Sequence, residues 1–172
     1  LDYHKKNGGV SRNVKIDYFL KKIVFLSNDR KLKNFLLNAY KKKIFKDLLK
    51  SEVAEDLSVF CTKYADKKLL VVSGGNQKEI IQIFKSKLIY EYFYQSIFGS
   101  PKSKEQIFSS IINNKTINFP AVYIGDSKHD QKVAYENGID FIFLYEWTEV
   151  NDWKEFCIDK NIMYKKNLSE FL

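Results

Sequence analysis

From Lys68 onward, short apolar runs alternate with segments of helical length, and this alternation restricts the fold more than any other feature of the chain. Lys68–Val72, Tyr92–Phe98, Ala121–Ile124 and Asp140–Leu144 read as strands. Asn76–Lys85, Lys102–Ile112, Ser127–Asn137 and Val150–Cys157 read as helices, the third stopped by Gly138. Strands that alternate with helices pair in parallel through right-handed crossovers, so an α/β class with a parallel sheet is expected. Only a basic tail near Tyr164–Asn167 is expected after the last helix.

The front of the chain, Leu1 to Tyr64, follows a different rule, because every plausible element there is helical. Gly8-Gly9 breaks a first short segment and Ser11 is placed to cap a second. Leu32, Phe35, Leu36, Ala39, Tyr40, Ile44 and Leu48 recur at three- and four-residue steps, giving Asn28–Lys50 one apolar stripe and a lysine-rich face for solvent. At 172 residues the chain has room for one core, or a core and a small helical unit.

Composition narrows the function classes. The formal charge is +8, but Arg12 and Arg30 are the only arginines, and arginine is the better fork for phosphates and grooves. No basic motif interleaved with aromatics accompanies the lysines, so no nucleic-acid partner is expected. Apolar runs such as Phe141–Tyr145 fall far short of the roughly 20 residues that span a bilayer, so no membrane partner is expected. Cys61 and Cys157 belong to no C-x-x-C pair and read as reduced structural thiols of a cytoplasmic protein. The first residue is Leu1 and Met163 is the only methionine, so the true amino terminus is expected to lie upstream.

Three segments carry chemistry. In open parallel sheets, ligands bind beyond the carboxyl ends of strands, where Ser73 and Asp126 are both expected. Ser73, followed by Gly74 and Gly75, offers a hydroxyl and free backbone N–H groups to phosphate oxygens, or else simply caps the next helix. Lys104, behind Ser100-Pro101, supplies a cation for a phosphate dianion, with Lys102 as the nearby rival. Asp126 and Asp130 are hard oxygen donors suited to Mg2+, or alternatively an N-cap with an acid favouring the helix dipole.

L-V-V-S, G-S-P-K-S-K and Y-I-G-D-S-K-H-D resemble the second, third and fourth motifs of haloacid dehalogenase-like (HAD-like) hydrolases. Tyr3–Lys15 resembles the start of the helical cap in a phosphoglycolate-phosphatase-like branch. The resemblance implies a Rossmann-like core over residues 65–172 and a helical cap over 1–64. It also implies that Ser73 bonds the phosphoryl group, Lys104 stabilises nucleophile and phosphate, and Asp126 with Asp130 holds Mg2+. Members mostly hydrolyse phosphate esters through an aspartyl-phosphate. The substrate expected here is a small phosphorylated metabolite, with Gly74 beside the phosphoryl group and His4, Arg12 and Lys15 as possible cap contacts.

The sequence departs from that pattern in one respect: no D-x-D-x-T/V is present, so neither the attacking nor the proton-donating aspartate can be assigned. The core is therefore expected to lack its first strand, which the family places between the serine strand and the G-D strand. Direct pairing of Lys68–Val72 with Ala121–Ile124 would refute that topology. A fragment without the nucleophile is expected to be inactive. The alternatives are a non-catalytic pseudoenzyme or binding domain, and a haloacid dehalogenase, whose displacement needs no Mg2+. A receiver-like module is disfavoured because its acids would precede the hydroxyl and lysine. Nothing in the sequence indicates an oligomeric state.

Overall fold

A computed structural model describes Tyr3 and residues 10–26 and 29–172. His4 and the Gly8-Gly9 break lie outside the described residues. The described elements run α1 (Arg12–Lys22), α2 (Arg30–Lys50), α3 (Leu57–Lys63), β1 (Val71–Asn76), α4 (Gln77–Ser86), a 3-10 turn (Tyr90–Phe93), β2 (Ile97–Ser100) and α5 (Lys104–Asn113). They continue with β3 (Val122–Gly125), α6 (Lys128–Glu136), β4 (Asp140–Leu144), α7 (Trp153–Asp159), β5 (Met163–Lys165) and a 3-10 turn (Leu168–Phe171). Among the described residues all paired strands are parallel, in two sheets ordered β1-β2 and β3-β4-β5, so the α/β class expected from the alternation is what the chain adopts. No helix among the described residues is long and apolar enough to cross a membrane.

The chain forms two compact units that interleave along the sequence. One comprises Ala54–Leu69 with Lys104–Leu172, and the other Val10–Val53 with Leu70–Ser103. In the first, β3 and β4 pair in regular register, Gly125 opposite Phe143, and α6 makes the crossover between them. Phe143, Val133, Ala134, Ile107, Phe108 and Cys157 fill the core around this sheet. Gly138 ends α6 at a positive φ of 66°, and the Ile139 N–H reaches back to the Ala134 carbonyl at 3.0 Å. β5 was not expected: Met-Tyr-Lys is too short and too basic to signal a strand, yet it pairs with Ile142–Leu144 once α7 returns the chain. Cys61 and Cys157 are free and buried, as reduced structural thiols should be.

In the second unit, β1 begins and ends later than the apolar run suggested, since Val71–Asn76 takes in the Ser73-Gly74-Gly75 stretch. The ladder pairs Val72 with Phe98 and Asn76 with Ser100, so three residues of β1 stand opposite the single Gly99. That bulge demands glycine. A Cβ on Gly99 would lie 2.5 Å from the Gly75 carbonyl oxygen and 3.0 Å from the Gln77 nitrogen, both backbone atoms with little freedom to retreat. The second expected strand, Tyr92–Phe98, is split between the 3-10 turn and β2. Asp29 caps α2 by accepting the Leu32 N–H at 2.8 Å, whereas Ser11 stands at the start of α1 without a side-chain cap bond. The α2 stripe is covered in part: Leu32, Leu36 and Ile44 are half-buried, while Phe35, Ala39, Tyr40 and Leu48 are exposed.

Gly99→Ala is predicted to lower unfolding stability by about 1–3 kcal/mol, the usual range for a forced core overlap. Urea denaturation of the variant checks this; an unchanged midpoint would mean that the bulge tolerates a methyl group.

Candidate active site

Lys104, Asp126 and Asp130 meet in the first unit. Gly125 closes β3, Asp126 follows it, and Ser127 opens α6, so Asp126 stands directly beyond the carboxyl end of a parallel strand. The helix cap is Ser127: its Oγ accepts the Asp130 N–H at 3.1 Å and donates back to Asp130 Oδ2 at 2.6 Å. This reciprocal closure runs through the Ser127 hydroxyl in both directions, and it leaves the Asp126 side chain out of the cap. Gly125 makes room for the Asp130 side chain, because a Cβ there would fall 2.8 Å from the Asp130 Cβ.

Lys104 is the buried lysine of its segment at 6% exposure, while Lys102 is exposed, which separates the two rivals. Its ammonium pairs with Asp130 Oδ1, and that oxygen also accepts the Tyr123 hydroxyl at 2.7 Å. Asp130 is itself only 3% exposed. Burial pushes its carboxyl upward, but the Lys104 charge and hydrogen bond, with those from Ser127 and Tyr123, outweigh it and hold the group below the usual carboxylate range. Tyr123 is pushed well above the ordinary phenol range, by burial first and by the Asp130 charge second, so it remains a donor. Its ring packs edge-on against Phe108 at 5.0 Å.

Asp126 is the counterpart. Its residue surface is open to solvent, yet the surrounding protein desolvates the carboxylate enough, with the charge of Asp130 second, to raise its pKa despite the attraction of Lys104. Exposure tempers that shift. His129, between the acids, lies 3.7 Å from Glu105, and burial and the Lys104 charge hold its pKa down against the pull of Glu105. Among the described residues, no three His, Cys, Asp or Glu side chains gather as a metal-binding group. A donor set of one accessible carboxylate and one hydrogen-bonded neighbour still suits Mg2+, which uses one or two carboxylates and completes its shell with water and substrate phosphate.

The other candidates lie in the second unit. The Ser73 hydroxyl accepts the Gly75 N–H at 3.1 Å within the β1 bulge, followed by Gly74. It is not the helix cap, for Asn76 takes that position by accepting the Glu79 N–H at 3.2 Å. The Arg12 guanidinium pairs with Glu79, an acid 4% exposed, and stands 5.6 Å from the Tyr40 ring centroid. That packing contact between α1 and α4 occupies the group proposed to grip a substrate anion. Tyr123 was missed from sequence because a strand tyrosine reads as core.

No protein-family profile matches the chain, and no curated protein matches it. Among solved structures, the chain is similar to a predicted phosphatase from Clostridium acetobutylicum, with 16% identity and a TM-score of 0.71 over 95% of this chain and 76% of that one. It is also similar to a candidate phosphatase from Clostridium difficile, with 16% identity and a TM-score of 0.61 over 90% and 74% of the two chains.

Two variants test the Lys104–Asp130 pair by denaturation. Lys104→Met is predicted to cost about 3–5 kcal/mol by leaving Asp130 buried and unpaired. Lys104→Met with Asp130→Asn is predicted to recover much of that loss, and equal losses would show that the pair is not the source. The pH dependence follows from the shifts. Because the folded pKa of Asp130 is depressed, its stabilisation is complete above the ordinary carboxylate range and lost as pH falls through the folded value. Asp126, with a raised pKa, works oppositely and recovers stability as it protonates. Asp130→Asn should therefore flatten the acid limb of the stability curve, measured as urea midpoint against pH.

The chain shares the α/β fold of these two solved structures, with its described strands paired in parallel.

Proposed function

We propose that the protein is a Mg2+-dependent phosphatase acting on a small phosphate monoester. One observation carries this reading: a buried Lys104–Asp130 pair beside the accessible Asp126 carboxylate at the carboxyl end of β3. The two solved structures of similar fold, both described as phosphatases, support it.

Asp126 would hold the ion, with Asp130 as the second acid. Bound Mg2+ polarises phosphoryl oxygens and offsets the charge that develops on them. The chain's own groups do the rest. Asp130 fixes the Lys104 ammonium, whose positive charge is then presented to a phosphate dianion without a reorganisation cost at the moment of reaction. Tyr123 and Ser127, with Lys104, hold Asp130 ionised. Ser73 and Gly74 are assigned to phosphoryl contact and Arg12 to a substrate anion on the strength of the motif resemblance alone.

The aspartyl-phosphate route needs an aspartate that residues 1–172 do not supply in a D-x-D-x-T/V context. Positioning and charge alone do not overcome the barrier to phosphate-monoester hydrolysis, among the slowest reactions in water. The 172-residue chain is therefore predicted to bind Mg2+ and inorganic phosphate with mutual enhancement, read by calorimetric titration, and to release no p-nitrophenol from p-nitrophenyl phosphate. Asp126→Asn should abolish the Mg2+ heat; an unchanged Mg2+ affinity in that variant would sink the proposal. Turnover by the 172 residues that is lost with Asp126→Asn would place the nucleophile among the aspartates already present.

A further inference from the structure

We infer that Thr148 is a positioning residue for the Asp126 carboxylate, a role that rests on reading Asp126 as the Mg2+ donor. The Thr148 hydroxyl donates to the Asp126 backbone carbonyl at 2.6 Å. The Thr148 hydroxyl oxygen in turn accepts the Val150 N–H at 3.1 Å. The single hydroxyl proton is thereby committed to Asp126, and the turn that presents it is closed by the second bond.

Topology makes this clasp local to the site. β3 and β4 are parallel and in register, so the loops that leave them emerge at the same end of the sheet. Asp126 is in the first loop and Thr148 in the second. A further tie joins these loops, since Lys128 at the start of α6 donates to Asp152 at 2.5 Å and lies 5.0 Å from the Phe156 ring centroid.

Asp126 needs such a restraint. Its side chain takes no part in the helix cap, which Ser127 supplies, so its carboxylate is aimed by the main chain that carries it. That main chain is held before Asp126 by the β3–β4 ladder, after it by the Ser127 cap, and at its own carbonyl by Thr148. Removing the last restraint frees the Asp126–Ser127 peptide to rotate, and the carboxylate direction changes with it. Partners that orient a metal ligand in this way commonly govern affinity by about 10–100-fold when lost.

Mn2+ is the probe, titrated onto the protein with the free ion counted by electron paramagnetic resonance. Thr148→Val, which keeps the shape and removes the donor, is expected to weaken Mn2+ binding by about 10-fold. Thr148→Ser, which keeps the donor, is expected to bind like the parent. Thr148→Val binding as tightly as the parent would overturn the inference. So would Thr148→Ser binding as weakly as Thr148→Val, because the methyl group rather than the hydroxyl would then be responsible. Asp126→Asn in the same titration separates the two levels. If it binds Mn2+ unchanged, the metal-donor reading of Asp126 fails; if it loses the ion while Thr148→Val does not, only the clasp fails.

Discussion

The geometry of the candidate site depends on one buried contact, the ion pair between Lys104 at the start of α5 and Asp130 in the first turn of α6. An acid this buried is tolerated only if its oxygens are occupied, and three donors occupy them: Lys104, Tyr123 and Ser127. Each donor comes from a different element or its cap. A helix start, a strand and a helix cap are thereby set against one carboxylate, and the glycine before Asp126 lets that carboxylate sit against the strand end.

Four residues apart, the two aspartates have opposite environments. Asp130 is enclosed and satisfied, so it stays ionised and acts as an anchor. Asp126 is open, and its carboxylate carries charge that the protein penalises by desolvation and by the neighbouring acid. A group whose ionised form is under-compensated gains most from an added cation. One short turn thus holds both an enclosed acid and one open to solvent.

Much of this was legible in the sequence, and the parts that were not share a cause. The α/β alternation, the helix ended by Gly138 and the strand Asp140–Leu144 follow from apolar spacing and turn chemistry, which are local. The choice of Lys104 over Lys102 needed burial, and the choice of Asn76 over Ser73 as cap needed the bulge that moves the helix start. That bulge is set by β2, some twenty residues away in the chain, so no local reading of Ser73-Gly74-Gly75 contains it. Tyr123, Thr148 and β5 escaped for the same reason, because each is defined by a partner from another loop or strand.

The Lys104–Asp130 pair is hard to account for by stability alone. Apolar residues of similar volume in such a place are often as stabilising as a buried ion pair, or more so, since they avoid desolvating two charges. A core built only for packing would gain by replacing the pair together with the Tyr123 hydroxyl that serves it. What an apolar replacement cannot provide is a fixed positive charge beside an accessible carboxylate at the end of a parallel strand. That charge would attract a dianion while the carboxylate attracts a divalent cation, and the two ligands would neutralise one another in the same space. Packing does not require that arrangement, whereas phosphoryl transfer does.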